Sequence, residues 1–443
     1  LSVEVDPVGV ACNLTCRYCY QQPMREAGNL AQGYDLTAMK RGLEKENWRF
    51  SLFGGEALLM PIADLEELFR FGREKFQHAA IQTNGTLITD AHLALFKQYA
   101  VSVGISIDGP DELNDARWAG SLEKTRAATT RTLDAIQRLA NDGRPPSLIL
   151  TLHRLNASDG PRERLKTWLR ELDHLGVSSV RLHLLEVNGL GADLALSADE
   201  NVRALVALME FQDALPKLRF DLFPEMVRLL LGTDQWKHGS ESCGVGCIWN
   251  ACDPLTTDAV HGINAIGERS NCQRTNKDGI EWQKADQSGC ERQLALFRSP
   301  VAEGGCGGCR FFVCCKGHCP GNAEGGDWRN KTVYCRVWSA LFAVLEAKLM
   351  ALGKAPVSRL PELPAIEAAM VAGWERGHRL SVAQALAVAR GAPMPDAPGG
   401  NQAHGDHWDA PDGYAHDDAG VTVHGDQGTT IMHGDSHGDS DAT

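Results

Sequence analysis

Eleven of this chain's fourteen cysteines fall between Ser240 and Cys335, and that distribution limits the possible folds more than any other feature. The same stretch is rich in Gly and poor in apolar periodicity, so a packed core alone cannot order it. Metal or cluster ligation can. A disulfide framework is the rival reading, but it suits small secreted chains. Here 443 residues with a 43% hydrophobic fraction can bury a large core. No basic n-region followed by an apolar segment opens the chain. The length suits two or three domains.

Residues 1–190 alternate between short apolar runs and helical patterns. The strand candidates are Ser2–Val10, Trp48–Phe53, Ala79–Gln82, Val101–Ile107, Ser147–Leu152 and Ser179–Leu185. Between them, Leu122–Ala140 and Pro161–Leu175 carry apolar residues at helical spacing, as Leu165, Trp168, Leu169, Leu172 and Leu175 show. A helix after each strand implies right-handed βαβ units and a parallel sheet. The fold class expected is α/β, with a partial (β/α)6 TIM-like barrel. A helix is expected over Val337–Leu352 and a weaker helical stretch over Ile366–Arg390.

Charge narrows the function classes. The net charge is −13, and ten Asp with no Lys or Arg follow Arg390. No basic stretch offers a phosphate-binding face, so no nucleic-acid partner is expected. No apolar run reaches the ~18–20 residues of a membrane helix, so no membrane partner is expected either. The segment after Ala392, with six His and His-Gly-Asp repeated at His404, His424, His433 and His437, reads as a disordered acidic tail. A loose metal-binding tail or a built-in substrate mimic is the sharper alternative.

Cys12, Cys16 and Cys19 form C-x3-C-x2-C directly after the first predicted strand, on a loop at its carboxyl end, where barrel enzymes build active sites. Thiolates favour iron–sulfur clusters or zinc. Three ligands leave one iron of a 4Fe–4S cluster open, whereas structural zinc closes with four. The triplet, with Tyr18 before its last Cys, resembles the radical S-adenosylmethionine (radical SAM) superfamily. Gly54-Gly55-Glu56, Thr83-Asn84-Gly85 and Ser106-Ile107-Asp108-Gly109 follow at three successive strand ends, in the order of that superfamily's SAM-pocket motifs. The resemblance covers about residues 1–200. It implies SAM contacts from Tyr18, Gly54, Gly55, Glu56, Thr83, Asn84, Ser106 and Asp108, with Glu186 a weaker candidate. It also implies reductive cleavage of SAM to a 5′-deoxyadenosyl radical that abstracts hydrogen from an unactivated C–H.

A second block, Cys306-x2-Cys309-x5-Cys315-x3-Cys319 with a later Cys335, is preceded by Cys252 and Gly267-x4-Cys272. It resembles the SPASM domain of radical SAM enzymes, which carries two auxiliary 4Fe–4S clusters. The resemblance implies three clusters in all. One auxiliary set would be Cys252, Cys272 and Cys319 with either Cys247 or Cys243, of which Cys247 lies closer to Cys252 in sequence. The other would be Cys306, Cys309, Cys315 and Cys335. Cys290 and Cys314 are surplus and read as small buried hydrophobes. The expected domains are the barrel at 1–235, the SPASM region at 240–345, C-terminal helices at 346–392 and the tail at 393–443.

SPASM enzymes mostly modify peptides or proteins. The expected function is therefore an oxidoreductase maturing a ribosomally made peptide (a RiPP) by a C–C, C–O or thioether crosslink. The partners implied are a peptide encoded nearby and a reductant such as flavodoxin or ferredoxin, in the cytoplasm. Only eleven residues precede Cys12, so a leader peptide would need a separate binding protein or the C-terminal region. Formylglycine formation by a sulfatase-maturase-like enzyme is the alternative. It is weakened because Gln273 follows Cys272 where those enzymes place an acidic residue. Arg274 and Asp278 nearby read first as solvated surface charges, and the catalytic acid or base is unassigned. An iron–sulfur electron carrier or a structural zinc protein would have no use for SAM motifs.

Overall fold

The computed structural model describes residues 2–28, 33–186, 189–234, 245–256, 261–275 and 289–395. Cys243, Asp278 and the tail from residue 396 lie outside the described residues. Seven strands run in sequence order across one parallel sheet: β1 (Val3–Asp6), β2 (Phe50–Leu52), β3 (Ala80–Thr83), β4 (Ser102–Ser106), β5 (Ser147–Leu152), β6 (Ser179–Leu184) and β7 (Arg219–Phe220). Each pairs in parallel with its predecessor. All six expected strands form within a few residues of their expected limits. Their alternate apolar side chains, among them Val3, Val5, Phe50, Leu52, Ile105, Leu150 and Leu152, are sealed from water. The helices Leu122–Asn141 and Asp159–His174 cover the sheet as the periodicity requires.

The cysteine-rich segment adds to this sheet. β8 (Gly262–Asn264) pairs in parallel with β1, and β9 (Arg269–Ser270) folds back antiparallel on β8, giving the order β7-β6-β5-β4-β3-β2-β1-β8-β9. The turn between β8 and β9 depends on Gly267, whose φ is +78° and where a Cβ would sit 2.2 Å from the Ala38 carbonyl oxygen. No strand was expected there, because three-residue and two-residue strands carry too little alternation to read.

C-terminally, the helix Cys335–Ala351 buries Trp338, Leu341, Phe342 and Leu345. The single stretch expected over Ile366–Arg390 is instead two helices, Leu363–Trp374 and Val382–Ala389. Gly377 at φ +74° breaks the run, and Ser381 restarts it with a reciprocal cap to Gln384. One contiguous hydrophobic cluster joins the sheet, the cysteine-rich segment and these helices. No helix among the described residues is long and apolar enough to cross a membrane.

Candidate functional site

The carboxyl ends of β1 to β6 open onto a cavity of about 260 Å³. Its wall contains Cys12, Cys16 and Cys19 on one side and Cys247, Cys252, Cys272 and Cys319 on another. The two cysteine groups are far apart in sequence and share one space because β8 and β9 carry the second segment back against β1.

The triplet loop is set by its neighbours. Asn84 donates from Nδ2 to Asn13 Oδ1 at 2.8 Å and approaches the Cys12 sulfur at 3.9 Å. Glu56 is 1% exposed and accepts from Thr83 Oγ1 at 2.7 Å, Asn84 N at 2.8 Å and Leu58 N at 3.1 Å. Gly54 and Gly55 press the loop after β2 against the triplet loop, with Gly55 N donating to Gly9 O and Glu56 N to Ala11 O. A Cβ on Gly55 would sit 1.9 Å from Ala11 O. The room these glycines leave is thus filled by the chain's own backbone on their Cα side.

Of the expected SAM contacts, Tyr18, Gly54, Gly55, Thr83, Asn84, Ser106 and Glu186 line the cavity, together with Gln82. Gln82 Nε2 donates to Ser106 Oγ at 2.8 Å. Glu56 and Asp108 stand behind this wall. Asp108 is fully buried and bound by the Tyr18 hydroxyl, by Arg117 Nε at 3.3 Å, by His153 Nε2 at 3.3 Å and by Thr151 N at 3.0 Å. Burial opposes ionisation of Asp108, but Arg117 and His153 outweigh it and its pKa lies below the usual range.

The triplet thiols face one another. Burial pushes Cys12 up to about 11 and Cys16 up to about 12, and each is opposed further by the charge of its partners. Ionisation of Cys247 is likewise opposed by burial and by the neighbouring Cys319 and Cys252, and that of Cys272 by burial, Glu4, Cys319 and Cys247. Cys306, Cys309, Cys315 and Cys335 form a separate group in which Cys315 faces the other three. The two surplus cysteines, Cys290 and Cys314, are both buried. Soft thiol donors gathered in threes and fours fit a cationic iron–sulfur group. Among the described residues no three His, Cys, Asp or Glu side chains are arranged to hold a single metal ion.

Arg274 departs from its expected reading as a surface charge. It is largely covered in the cavity wall, with its side chain 19% exposed, pairs with Glu186 through Nε at 3.1 Å, donates to His183 Nδ1 at 3.0 Å and lies over the Tyr20 ring at 5.5 Å. Burial and the nearby Arg274 and Arg181 hold His183 well below its ordinary pKa, so its neutral ring can accept that bond. Arg154, by contrast, pairs with Glu200 near the surface, and His153 serves Asp108.

Glu225 and Arg117 were not singled out from sequence. Glu225 lies in the helix Leu222–Leu231 among Leu222, Met226 and Leu229, and reaches the cavity wall. It accepts from Gly246 N at 3.0 Å, and burial with the charge of Asp221 pushes its pKa up to about 7. An acidic residue on an otherwise apolar helix face was the available signal. Arg117 sits in a loop with no periodicity to flag it.

Residues 7–184 match the profile of the Radical SAM superfamily. A serine-type anaerobic sulfatase-maturating enzyme of Bacteroides thetaiotaomicron is 34% identical over 131 residues, which cover 26% of this chain and 31% of that protein. A cysteine-type enzyme of the same description from Clostridium perfringens is 29% identical over 129 residues, covering 26% and 35%. The Fe-coproporphyrin III synthase of Methanosarcina barkeri is 32% identical over 153 residues, covering 34% and 37%. The chain therefore spans about a third of the length of these curated relatives. Among solved structures, native anSMEcpe with bound AdoMet and the Cp18Cys peptide superposes with a TM-score of 0.59 at 17% identity, covering 79% of this chain and 98% of that one. That likeness is one of fold.

Proposed function

We propose that this chain, whose residues 7–184 match the Radical SAM superfamily, is a radical SAM enzyme that oxidatively modifies a side chain of a ribosomally made peptide. The carrying observation is the single cavity shared by Cys12, Cys16 and Cys19 and by Cys247, Cys252, Cys272 and Cys319. In this reading the triplet holds a 4Fe–4S cluster, Cys247, Cys252, Cys272 and Cys319 hold an auxiliary one, and Cys306, Cys309, Cys315 and Cys335 hold a third. SAM and the first cluster, when bound, supply a 5′-deoxyadenosyl radical that takes hydrogen from carbon.

The chain's own residues do the rest. Gly54, Gly55, Thr83, Asn84, Gln82 and Ser106 would bound the SAM site, and Asp108 would hold Tyr18 and Arg117 in place from behind. Arg274, fixed by Glu186 and His183, puts a cation on the wall beside the auxiliary set, where a peptide carbonyl or carboxylate could dock. Glu225 is the proton acceptor best placed by burial, since its carboxylate titrates near neutral pH. The reductant would be a flavodoxin or ferredoxin and the compartment the cytoplasm. The barrel would span 1–235 and the SPASM region 240–345.

Mass spectrometry of short peptides encoded beside this gene, co-expressed anaerobically with the enzyme, tests this. The expected result is loss of two hydrogens at one residue pair, with no aldehyde, abolished by Cys12→Ala. Formylglycine formation is the second reading, favoured by the two sulfatase-maturating relatives. It predicts an aldehyde at one Ser or Cys, trapped by a hydrazide. No mass change in any peptide would refute the crosslinking reading.

A further inference from the structure

Arg292 opens the helix Glu291–Arg298 and is 1% exposed. All five of its guanidinium N–H groups are taken by main-chain carbonyls. Nε donates to Trp328 O at 2.6 Å, Nη1 to Cys252 O at 3.3 Å and His318 O at 3.0 Å, and Nη2 to Gly317 O at 3.2 Å and Asn330 O at 3.0 Å. Two of those carbonyls belong to Cys315-Lys316-Gly317-His318-Cys319, the short link along which the chain leaves one cysteine set and enters the other. All three intervening residues are left-handed, with φ of +51°, +80° and +60°. For Lys316 and His318 that conformation is strained. A Cβ on Gly317 would sit 2.3 Å from Leu296 Cδ1, so glycine is what lets the link pass this close to the Arg292 helix.

The charges that face Arg292 are those of Cys252 and Cys319 from one set, Cys306 from the other, and Asp253. A buried cation whose hydrogen bonds all go to neutral carbonyls needs anions nearby. Four thiolates on each cluster would provide them.

We propose that Arg292 is the positioning and charge-balancing residue common to both auxiliary clusters, locking the left-handed link between their ligands and raising both reduction potentials. This rests on the cluster assignment above. A fixed positive charge favours the more negative, reduced state of each cluster. The arginine also ties the two sets mechanically, so their potentials respond together to its loss.

The test uses the full chain carrying Cys12→Ala, Cys16→Ala and Cys19→Ala, reconstituted anaerobically so that only auxiliary clusters remain. Iron and sulfide per chain and EPR-monitored redox titrations are compared for Arg292, Arg292→Gln and Arg292→Lys. Arg292→Gln is expected to lower both potentials by at least tenfold in the reduction equilibrium, about 59 mV for one electron. Arg292→Lys, which keeps the charge with fewer donors, is expected to retain iron and stay near the parent potentials. Full iron in Arg292→Gln at unchanged potentials would overturn the proposal while leaving the cluster assignment standing. If Arg292→Gln fails to fold, Arg292→Lys decides, because a fully loaded lysine protein with potentials lowered tenfold or more would overturn a role for the charge. A parent protein that takes up no iron would overturn the cluster assignment itself and this inference with it.

Discussion

At the residue scale, two buried carboxylates make opposite predictions. Asp108 is ionised in the folded chain because Arg117, His153 and Tyr18 surround it. Asp108→Asn leaves the Arg117 guanidinium buried without its counter-charge, and should cost about 3–5 kcal/mol in denaturant unfolding. A loss below about 1 kcal/mol would mean that the arginine finds another partner. Glu225 runs the other way. Its folded pKa of about 7 lies above the ordinary 4.5, so the folded state binds the proton more tightly. The stability this contributes is complete below pH 4.5 and is lost as pH rises through 7. Against Glu225→Gln, the metal-free wild type should lose up to roughly 3 kcal/mol between pH 4.5 and pH 8. Parallel unfolding curves for the two proteins across that range would contradict it. The close-spaced cysteine runs were legible because spacing is written directly in the sequence. Arg274 and Glu225 were not, because a charged residue looks solvated until tertiary packing buries it.

At the element scale, the strands that hold the site were readable because each buries an apolar face and ends in a motif. β8 and β9 were not, and they matter as much. Gly267 in their turn touches the backbone of the helix Leu36–Glu46. Gly267→Ala should cost about 2 kcal/mol or more, since it combines a left-handed φ with a 2.2 Å approach to Ala38 O. Thermal melts check this, and an unchanged midpoint would show that the hairpin moves freely from that helix. The C-terminal helices teach a similar lesson: their apolar periodicity spans Gly377, and only the positive φ there, with the cap at Ser381, separates them.

At the scale of the whole molecule, the two sets of four cysteines interleave, with Cys315 and Cys319 four positions apart and facing different groups. Losing one set should loosen the other. On the cluster assignment proposed above, Cys315→Ala is expected to lower iron at both auxiliary sites, reducing the chain's total by more than one cluster's worth after reconstitution. Loss of only one cluster's iron would show that the sites fold independently. By itself the sequence determined the fold class, the order of the strands, the cysteine loops and the resemblance to the radical SAM superfamily, because these follow from apolar period, strand-end motifs and spacing along the chain. Tertiary structure alone decided that the N-terminal triplet and a distant set of four cysteines share one cavity, that Arg274 and Glu225 reach its wall, and that Asp108 and Glu56 support it from behind. Those outcomes depend on which segment pairs with the open edge of β1 and on which charges packing removes from water, and neither quantity is local in sequence.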